Sequence, residues 1–259
     1  VVLPKKLCEV CKQQGEHKTH GHLVLAQHLL GDFEQSGVLF DVLLHVGSMV
    51  AVFLYFWRDL TGLISSLWRR DETAKQQRFM VWLLIAGSVP TAVIGLLFKD
   101  FFIGLFERPA IVCVMLLVTG SLLWLAERLS NREQSRKEMT FKDAIIVGTV
   151  QGCAIIPGIS RSGSTIAALL LRGVDGETAA RFSFLLALPA VFGAALLSLK
   201  DLGSVAAGSV LPYIAGTIAA LVTGLLCIHL LMGIIRRRRL HWFAFYCWAV
   251  GGLGLAFLL

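Results

Sequence analysis

The most informative stretch of the sequence is Pro157-Gly158-Ile159-Ser160-Arg161-Ser162-Gly163, because it places an arginine inside an otherwise apolar region, between Ala144–Ile156 and Thr165–Leu171. A guanidinium at membrane depth is costly unless it is paired or hydrated, and such a residue is by default a functional one. Glycine lets backbone N–H groups approach a ligand, and arginine binds phosphate through two parallel hydrogen bonds. The stretch therefore predicts an anion-binding turn between two half-helices. The alternative is a polar kink that neighbouring helices satisfy.

The composition is that of a polytopic helical membrane protein. Of 259 residues, 56% are hydrophobic and 16% are charged, a balance that soluble domains of this length do not show. The net charge of +7 comes from basic residues gathered between apolar blocks. This pattern is typical of cytoplasmic loops and not of a nucleic-acid surface. The polar N-terminus shows no apolar core, so no cleavable signal peptide is predicted.

The predicted fold class is all-α, with about six transmembrane helices plus re-entrant half-helices in an inverted repeat. Apolar runs long enough to cross a bilayer are Val38–Trp57, Phe79–Phe98, Ala110–Ala126, Phe182–Leu199, Leu211–Ile235 and Trp242–Leu259. Two further apolar runs, Ala144–Ile156 and Ser164–Leu171, are too short to cross alone. Short or interrupted apolar segments are expected at the binding site of such proteins.

Loop charges predict that the central region enters and leaves on one side. Three connections are rich in lysine and arginine and are predicted to be cytoplasmic: 58–78, 128–142 and Arg236–Arg239. Two carry little positive charge and are predicted to lie outside: Lys99–Pro109 and Lys200–Val210. If the region 144–171 crossed once, the later loops would contradict this rule. A re-entrant hairpin with Ser160-Arg161-Ser162 at its tip agrees with it.

An internal repeat supports the same topology. At a constant offset, Gly21 aligns with Gly163, Gly31 with Gly173, and Phe40 with Phe182. From the loop charges, the helix after Gly31 is predicted to run from outside to inside, and the helix after Gly173 from inside to outside. The two copies are therefore inverted. Inverted repeats bring their half-helix sites together near the bilayer midplane.

The first twenty residues differ from the rest and are treated as a separate polar segment, 1–20, before a membrane domain of 21–259 whose repeats start near 21 and 163. Cys8 and Cys11 are followed by His17, His20 and His22, which superficially suggests zinc. The interval between these pairs is shorter than in zinc sites. No metal ligand is therefore assigned.

Six motifs link the chain from Gly21 onward to one family. They are the segment 21–25 (GHLVL), the segment 40–48 (FDVLLHVGS), Phe56-Trp57-Arg58, Gln151-Gly152, the segment 157–165 (PGISRSGST) and the segment 180–189 (ARFSFLLALP). On these motifs the chain resembles the undecaprenyl-diphosphate phosphatases, the bacitracin-resistance membrane family. The resemblance implies hydrolysis of undecaprenyl diphosphate to the monophosphate, which recycles the lipid carrier for peptidoglycan synthesis. It also implies a multi-pass protein of the bacterial inner membrane and a divalent cation, Mg²⁺ or Ca²⁺, as cofactor. A homodimer is one assembly compatible with it.

The first family motif is where the chain departs from the pattern. The family has an apolar helix with a Glu-x-x-x-Glu pair and a Pro-Val-Ser-Ser-Thr-Gly-His turn. Here Gly21-His22 is preceded by Glu16-His17-Lys18-Thr19-His20. Glu9 stands at the spacing of the first family glutamate, but Gln13 stands at that of the second. Cation ligands are therefore not identifiable, and a frameshift or mis-assigned start upstream of Gly21 is our hypothesis.

Candidate site residues follow from the charge of the diphosphate and from the motifs. Predicted catalytic residues are Arg161, His22, Ser160 and Ser162; predicted phosphate-binding residues are Gly158, Gly163, Ser164 and Thr165. Arginine neutralises the transferred phosphoryl group, backbone N–H groups and hydroxyls add donors, and the histidine acts as general acid or base. As alternatives, intramembrane hydroxyls bond carbonyls of neighbouring helices, and the histidine has an interfacial position without catalytic duty.

Two other functions are compatible with the sequence. Inverted repeats with broken helices are also typical of transporters, which here indicates a flippase for polyprenyl phosphate or an anion carrier. The departure in the first motif is compatible with a family member whose catalysis is impaired.

Overall fold

A computed structural model describes residues 37–106, 108–130, 135–199, 210–237 and 239–258. These parts of the chain are helical apart from short connections. In chain order the helices are α1 (Gly37–Tyr55), α2 (Trp57–Ser65), α3 (Glu72–Leu97), α4 (Lys99–Phe106), α5 (Pro109–Leu129), α6 (Phe141–Cys153), α7 (Arg161–Leu171), α8 (Gly176–Leu199), α9 (Val210–Arg236) and α10 (His241–Leu258). The segment 1–20, His22 and the first half-helix of the repeat lie outside the described residues.

The predicted polytopic all-α fold is confirmed. Within the described residues, four helices are long and apolar enough to cross a bilayer: Glu72–Leu97, Pro109–Leu129, Ile214–Arg236 and His241–Leu258. Helices α1 and α8 have 19 and 24 residues, which suits a hydrocarbon core about 30 Å thick. All the predicted spans fall on one of these helices.

The predicted re-entrant hairpin corresponds to α6 and α7. These helices have 13 and 11 residues, so each reaches about 20 Å or less and cannot cross alone. The backbone before α6 is paired with the backbone after α7: Arg136 N–H donates to the Gly173 carbonyl at 2.9 Å, and Asp175 N–H donates to the Arg136 carbonyl at 2.8 Å. The hairpin therefore enters and leaves at the same membrane face.

The base of the hairpin is built around one buried carboxylate, Asp143. Its side chain forms a capping box with Thr140 at the start of α6, which satisfies the free N–H groups of the first turn. Arg136 Nη2 donates to it at 2.7 Å and Arg172 Nε at 3.0 Å. Burial acts to raise the pKa of Asp143, but the hydrogen bonds from Thr140, Arg136 and Arg172 lower it to about 2.

The tip of the hairpin lies against the middle of α5. The backbone N–H of Ser160 donates to Thr119 Oγ1 at 3.2 Å, and Thr119 is the central residue of α5. Gly158, with φ +91°, packs its α-carbon against the carbonyl of Val112. Since α5 crosses the bilayer and Thr119 lies at its centre, the Ser160 contact places the tip near the midplane, whereas Gly158 contacts α5 closer to its N-terminus.

Helix α6 packs between α3 and α8. Gly148 lies so close to Gly87 of α3 that a β-carbon would fall inside the contact distance of its carbonyl oxygen. Thr91 Oγ1 donates to the Gly148 carbonyl at 2.8 Å. The buried Gln151 donates to the carbonyl of Leu186 in α8 at 3.3 Å. These bonds hold the first half of the hairpin.

Helix ends differ from the sequence prediction where polar residues continue a helix. Helix α8 begins at Gly176 and not at Phe182. Arg181 in its second turn pairs with Glu177 of its first turn and with Asp59 of α2, so these polar residues belong to the helix. Helix α3 begins at Glu72 and not at Phe79. The first predicted span ends at Tyr55, since Phe56 breaks the helix with φ −100° and ψ 21°. Helices α2 and α4 were not predicted.

Candidate active site

Arg161 is the first residue of α7 and lies at the tip of the re-entrant hairpin. It follows Ser160, whose backbone is bound to the midpoint of α5. The Arg161 side chain is exposed, and among the described residues it pairs with no carboxylate. An accessible, unpaired guanidinium at this depth is suited to bind an anionic ligand.

Ser160 caps the N-terminus of α7. Its Oγ accepts the backbone N–H of Gly163 at 3.2 Å, which satisfies one of the free donors of the first turn. A β-carbon at position 163 would lie 2.9 Å from that oxygen. The N–H of Gly163 and the Ser160 lone pair are therefore used by the cap, and the hydroxyl proton of Ser160 remains to donate.

Ser162 is the hydroxyl most available for a ligand. It is half-buried and makes no hydrogen bond with the part of the chain that the structure describes. The first N–H groups of a helix have no partner within the helix, and they attract anions. Arg161, the free N–H groups beside it and the Ser162 hydroxyl thus form one set of donors.

Ser164 and Thr165 point into the packing of α7. Both side chains are buried. Ser164 Oγ donates to the Ser160 carbonyl at 2.9 Å, and Thr165 Oγ1 donates to the Arg161 carbonyl at 2.8 Å. Thr165 Oγ1 also lies 2.5 Å from Ser183 Oγ of α8. Their role as phosphate donors stays a prediction, and their geometry agrees with the alternative of carbonyl-bonded hydroxyls.

Close contacts with neighbouring atoms explain why the two predicted phosphate-binding positions, Gly158 and Gly163, are glycines. Gly158 needs its positive φ and its missing side chain to pass Val112, because an L residue in that conformation is strained. Gly163 lies beside the Ser160 cap. Both stand in the turn that presents Arg161, and phosphate binding by them stays a prediction.

A family model supplies the decisive comparison. The model described as "Bacitracin resistance protein BacA" matches residues 19–253, which include the hairpin and all the described helices up to most of α10. The chain belongs to this family.

Curated relatives of the family cover nearly all of this chain. A protein of Syntrophotalea carbinolica is 53% identical over 91% of this chain and 90% of its own length. A protein of Halothermothrix orenii is 47% identical over 89% and 87%, and one of Methanosphaera stadtmanae is 42% identical over 89% and 87%. All three are named undecaprenyl-diphosphatase.

A ligand set for the divalent cation implied by the family resemblance is not found among the described residues of the site. Across these residues, no group of three or more histidine, cysteine, aspartate or glutamate side chains converges on one point. The nearest buried carboxylate in the hairpin, Asp143, is engaged by two arginines at its base.

Two polar residues contact the hairpin but were not predicted from the sequence to be part of the site: Thr119 and Ser183. Thr119 binds the backbone of Ser160 across 41 positions of sequence, and no local pattern marks it. Ser183 belongs to the motif 180–189, but its contact with Thr165 is visible in the packing of α7 against α8. Both side chains are buried.

Proposed function

We propose that this protein hydrolyses undecaprenyl diphosphate to undecaprenyl phosphate and inorganic phosphate in the bacterial inner membrane. The observation that carries the proposal is the accessible Arg161 without a carboxylate partner among the described residues, at the tip of a re-entrant hairpin near the bilayer midplane. The names of the curated relatives support the same substrate. The negative charge of a lipid diphosphate lies where its apolar chain meets the headgroup. Arg161 places a positive charge within the apolar region of the protein, where such a headgroup can reach it.

The donors at the hairpin tip suit the negative charge of a diphosphate. Arg161 offers two parallel N–H donors to phosphate oxygens. The free N–H groups at the start of α7 are fixed by the helix before the substrate arrives, and the Ser162 hydroxyl adds a further donor. Such preorganised donors stabilise the charge that develops on the transferred phosphoryl group.

Hydrolysis breaks the anhydride P–O bond and forms a new P–O bond to the oxygen of water. The bridging oxygen leaves on one phosphate, so the charge on that group increases and needs a cationic neighbour. Arg161 is placed to supply it. Removal of the water proton requires a base, and His22 remains the predicted one, outside the described residues.

Three finer features stay predictions. The divalent cation needs ligands from outside the described residues, since the described part offers no acidic cluster. Assembly as a homodimer is checked by light scattering of the purified protein. Conferring bacitracin resistance is checked by expressing the chain in a sensitive host.

The direct test is phosphate release from a polyprenyl diphosphate by the purified protein in detergent. Arg161→Ala is expected to lower the rate by about a hundredfold or more, and Arg161→Lys to restore part of it by keeping the charge. Arg70→Ala is the matched control, because Arg70 is an exposed arginine in the connection between α2 and α3. Full activity of folded Arg161→Ala contradicts the assignment.

The same experiment separates the two other functions. A flippase binds or transports polyprenyl phosphate in vesicles without releasing inorganic phosphate. An impaired family member shows no turnover as it stands, and gains turnover when the family's Glu-x-x-x-Glu helix and its serine-rich turn replace residues 1–20. Turnover by the chain itself favours the hydrolase over both.

A further inference from the structure

The first turn of α7, which carries Arg161, is hydrogen-bonded to two neighbouring helices. From α5, Thr119 Oγ1 accepts the backbone N–H of Ser160 at 3.2 Å. From α8, Ser183 Oγ lies 2.5 Å from Thr165 Oγ1. We propose that Thr119 and Ser183 are positioning residues, which fix the backbone of this turn and thereby the Arg161 guanidinium. The inference rests on the proposed function, because it assigns these residues to the same site.

Thr119 is suited to hold the turn from α5. Its hydroxyl donates to the carbonyl of Met115 at 2.9 Å, so its lone pairs face the Ser160 N–H. The side chain is 1% exposed, so water does not replace the bond when the hydroxyl is lost. An unpaired buried N–H is costly, and the turn is expected to shift to relieve it.

Ser183 holds the same turn through Thr165. The one proton of the Thr165 hydroxyl is directed to the Arg161 carbonyl at 2.8 Å, which makes Ser183 the donor to Thr165. A chain of two hydroxyls therefore runs from α8 to the backbone oxygen of Arg161. Both hydroxyls are buried, and hydrogen bonds in series strengthen one another in a low-dielectric interior.

These two contacts matter because the guanidinium has no other anchor within the described residues. The Arg161 side chain is exposed and pairs with no carboxylate there. Its position then depends on the backbone from which it extends. A displacement of about 1 Å in a catalytic group lowers rates by about a hundredfold, so small shifts of this turn have measurable effects.

The kinetic test compares variants that lose one hydroxyl with variants that keep it. Thr119→Val and Ser183→Ala are each expected to lower kcat/KM for polyprenyl diphosphate about tenfold per folded molecule, whereas Thr119→Ser stays within about twofold. Ser88→Ala is the matched control: Ser88 Oγ donates to the Leu84 carbonyl of its own helix and is expected to be dispensable. Unchanged kcat/KM in folded Thr119→Val and Ser183→Ala overturns the proposal.

A double-mutant cycle separates positioning from general stability. If Thr119 acts through the guanidinium, Thr119→Val causes little further loss when Arg161 is already alanine. A purely structural role predicts that the two losses multiply. Multiplying losses, with Thr119→Ser as defective as Thr119→Val, therefore count against the proposal.

Amide hydrogen exchange tests the contacts without any turnover. Thr119→Val is expected to raise the exchange rate of the Ser160 amide at least tenfold, and Ser183→Ala that of amides in the first turn of α7. Ser88→Ala leaves both unchanged. If the unmodified chain releases no phosphate, the proposed function fails, and these exchange rates alone decide whether the two residues fix the turn; unchanged exchange overturns the inference.

Discussion

Arg172 Nε lies 3.0 Å from Asp143 Oδ1, and this ion pair joins the two ends of the re-entrant hairpin. Asp143 belongs to the first turn of α6, whereas Arg172 caps the C-terminus of α7. Arg136, which precedes the hairpin, binds the same carboxylate at 2.7 Å. Because both ends share one carboxylate, the depth of Arg161 is set by how far α6 and α7 reach from this base.

Loss of the Asp143 charge is expected to loosen the base of the hairpin. Asp143→Asn leaves two arginines without their shared partner, and we expect a loss of about 2 to 3 kcal/mol in the free energy of unfolding. This is below the value for a fully buried pair, because both arginines stay partly exposed. Thermal unfolding in detergent measures it. Asp71→Asn, which breaks the exposed pair with Arg69, is the control and should change little.

The same carboxylate predicts an acid-dependent loss of stability. The pKa of Asp143 is lowered from 3.8 to about 2, so its folded form binds protons less readily than its unfolded form. Its stabilising contribution is therefore complete above about pH 4 and is lost as the pH falls through about 2. The unfolding midpoints of the wild type and Asp143→Asn should converge over this interval. A difference that stays constant down to pH 2 contradicts the assignment.

The hairpin topology predicts which positions react with a membrane-impermeant maleimide. In a background that lacks the six native cysteines, Glu138→Cys before the hairpin and Thr178→Cys after it should be labelled from the same side. Phe101→Cys in α4, at the other end of α3, should be labelled from the opposite side, because α3 crosses the bilayer. Labelling of positions 138 and 178 from opposite sides would mean that α6 and α7 together cross the bilayer.

The spans and the hairpin could be predicted because they depend on local properties. Apolar run length decides which helices cross, and loop charge decides on which side α6 and α7 begin and end. The start of α8 could not be predicted from hydropathy, since Glu177 reads as a loop residue until its bond to Arg236, 59 positions away, is seen. Helix α2 could not be predicted because Trp57 continues the apolar run of α1. The break between the two helices comes from the backbone angles of Phe56, which hydropathy does not indicate.

For the site, the sequence indicates the chemistry but not the supports. Arg161 is conspicuous because a charge is rare among apolar residues. Ser164 and Thr165 carry a hydroxyl, as Ser162 does, and the sequence alone does not distinguish the hydroxyls bonded to carbonyls from the one left available. Thr119 becomes a site residue solely through packing of the hairpin tip against α5.

Two glycines with positive φ provide a matched pair for the last prediction. Gly158 has φ +91° and Gly173 has φ +76°, so alanine strains the backbone at both positions, at about 1 kcal/mol or more. A β-carbon at 173 meets open space, whereas one at 158 collides with the Val112 backbone. Gly173→Ala should therefore lower the unfolding midpoint slightly and leave phosphate release nearly intact.

Gly158→Ala should combine the same backbone strain with displacement of the hairpin tip from α5. The expected result is a larger loss of stability and at least a tenfold loss of phosphate release, because the turn that presents Arg161 moves. Parallel measurement of unfolding and of phosphate release in the two variants separates strain from displacement. Equal effects of both substitutions on phosphate release would mean that contact with Val112 does not set the position of the site.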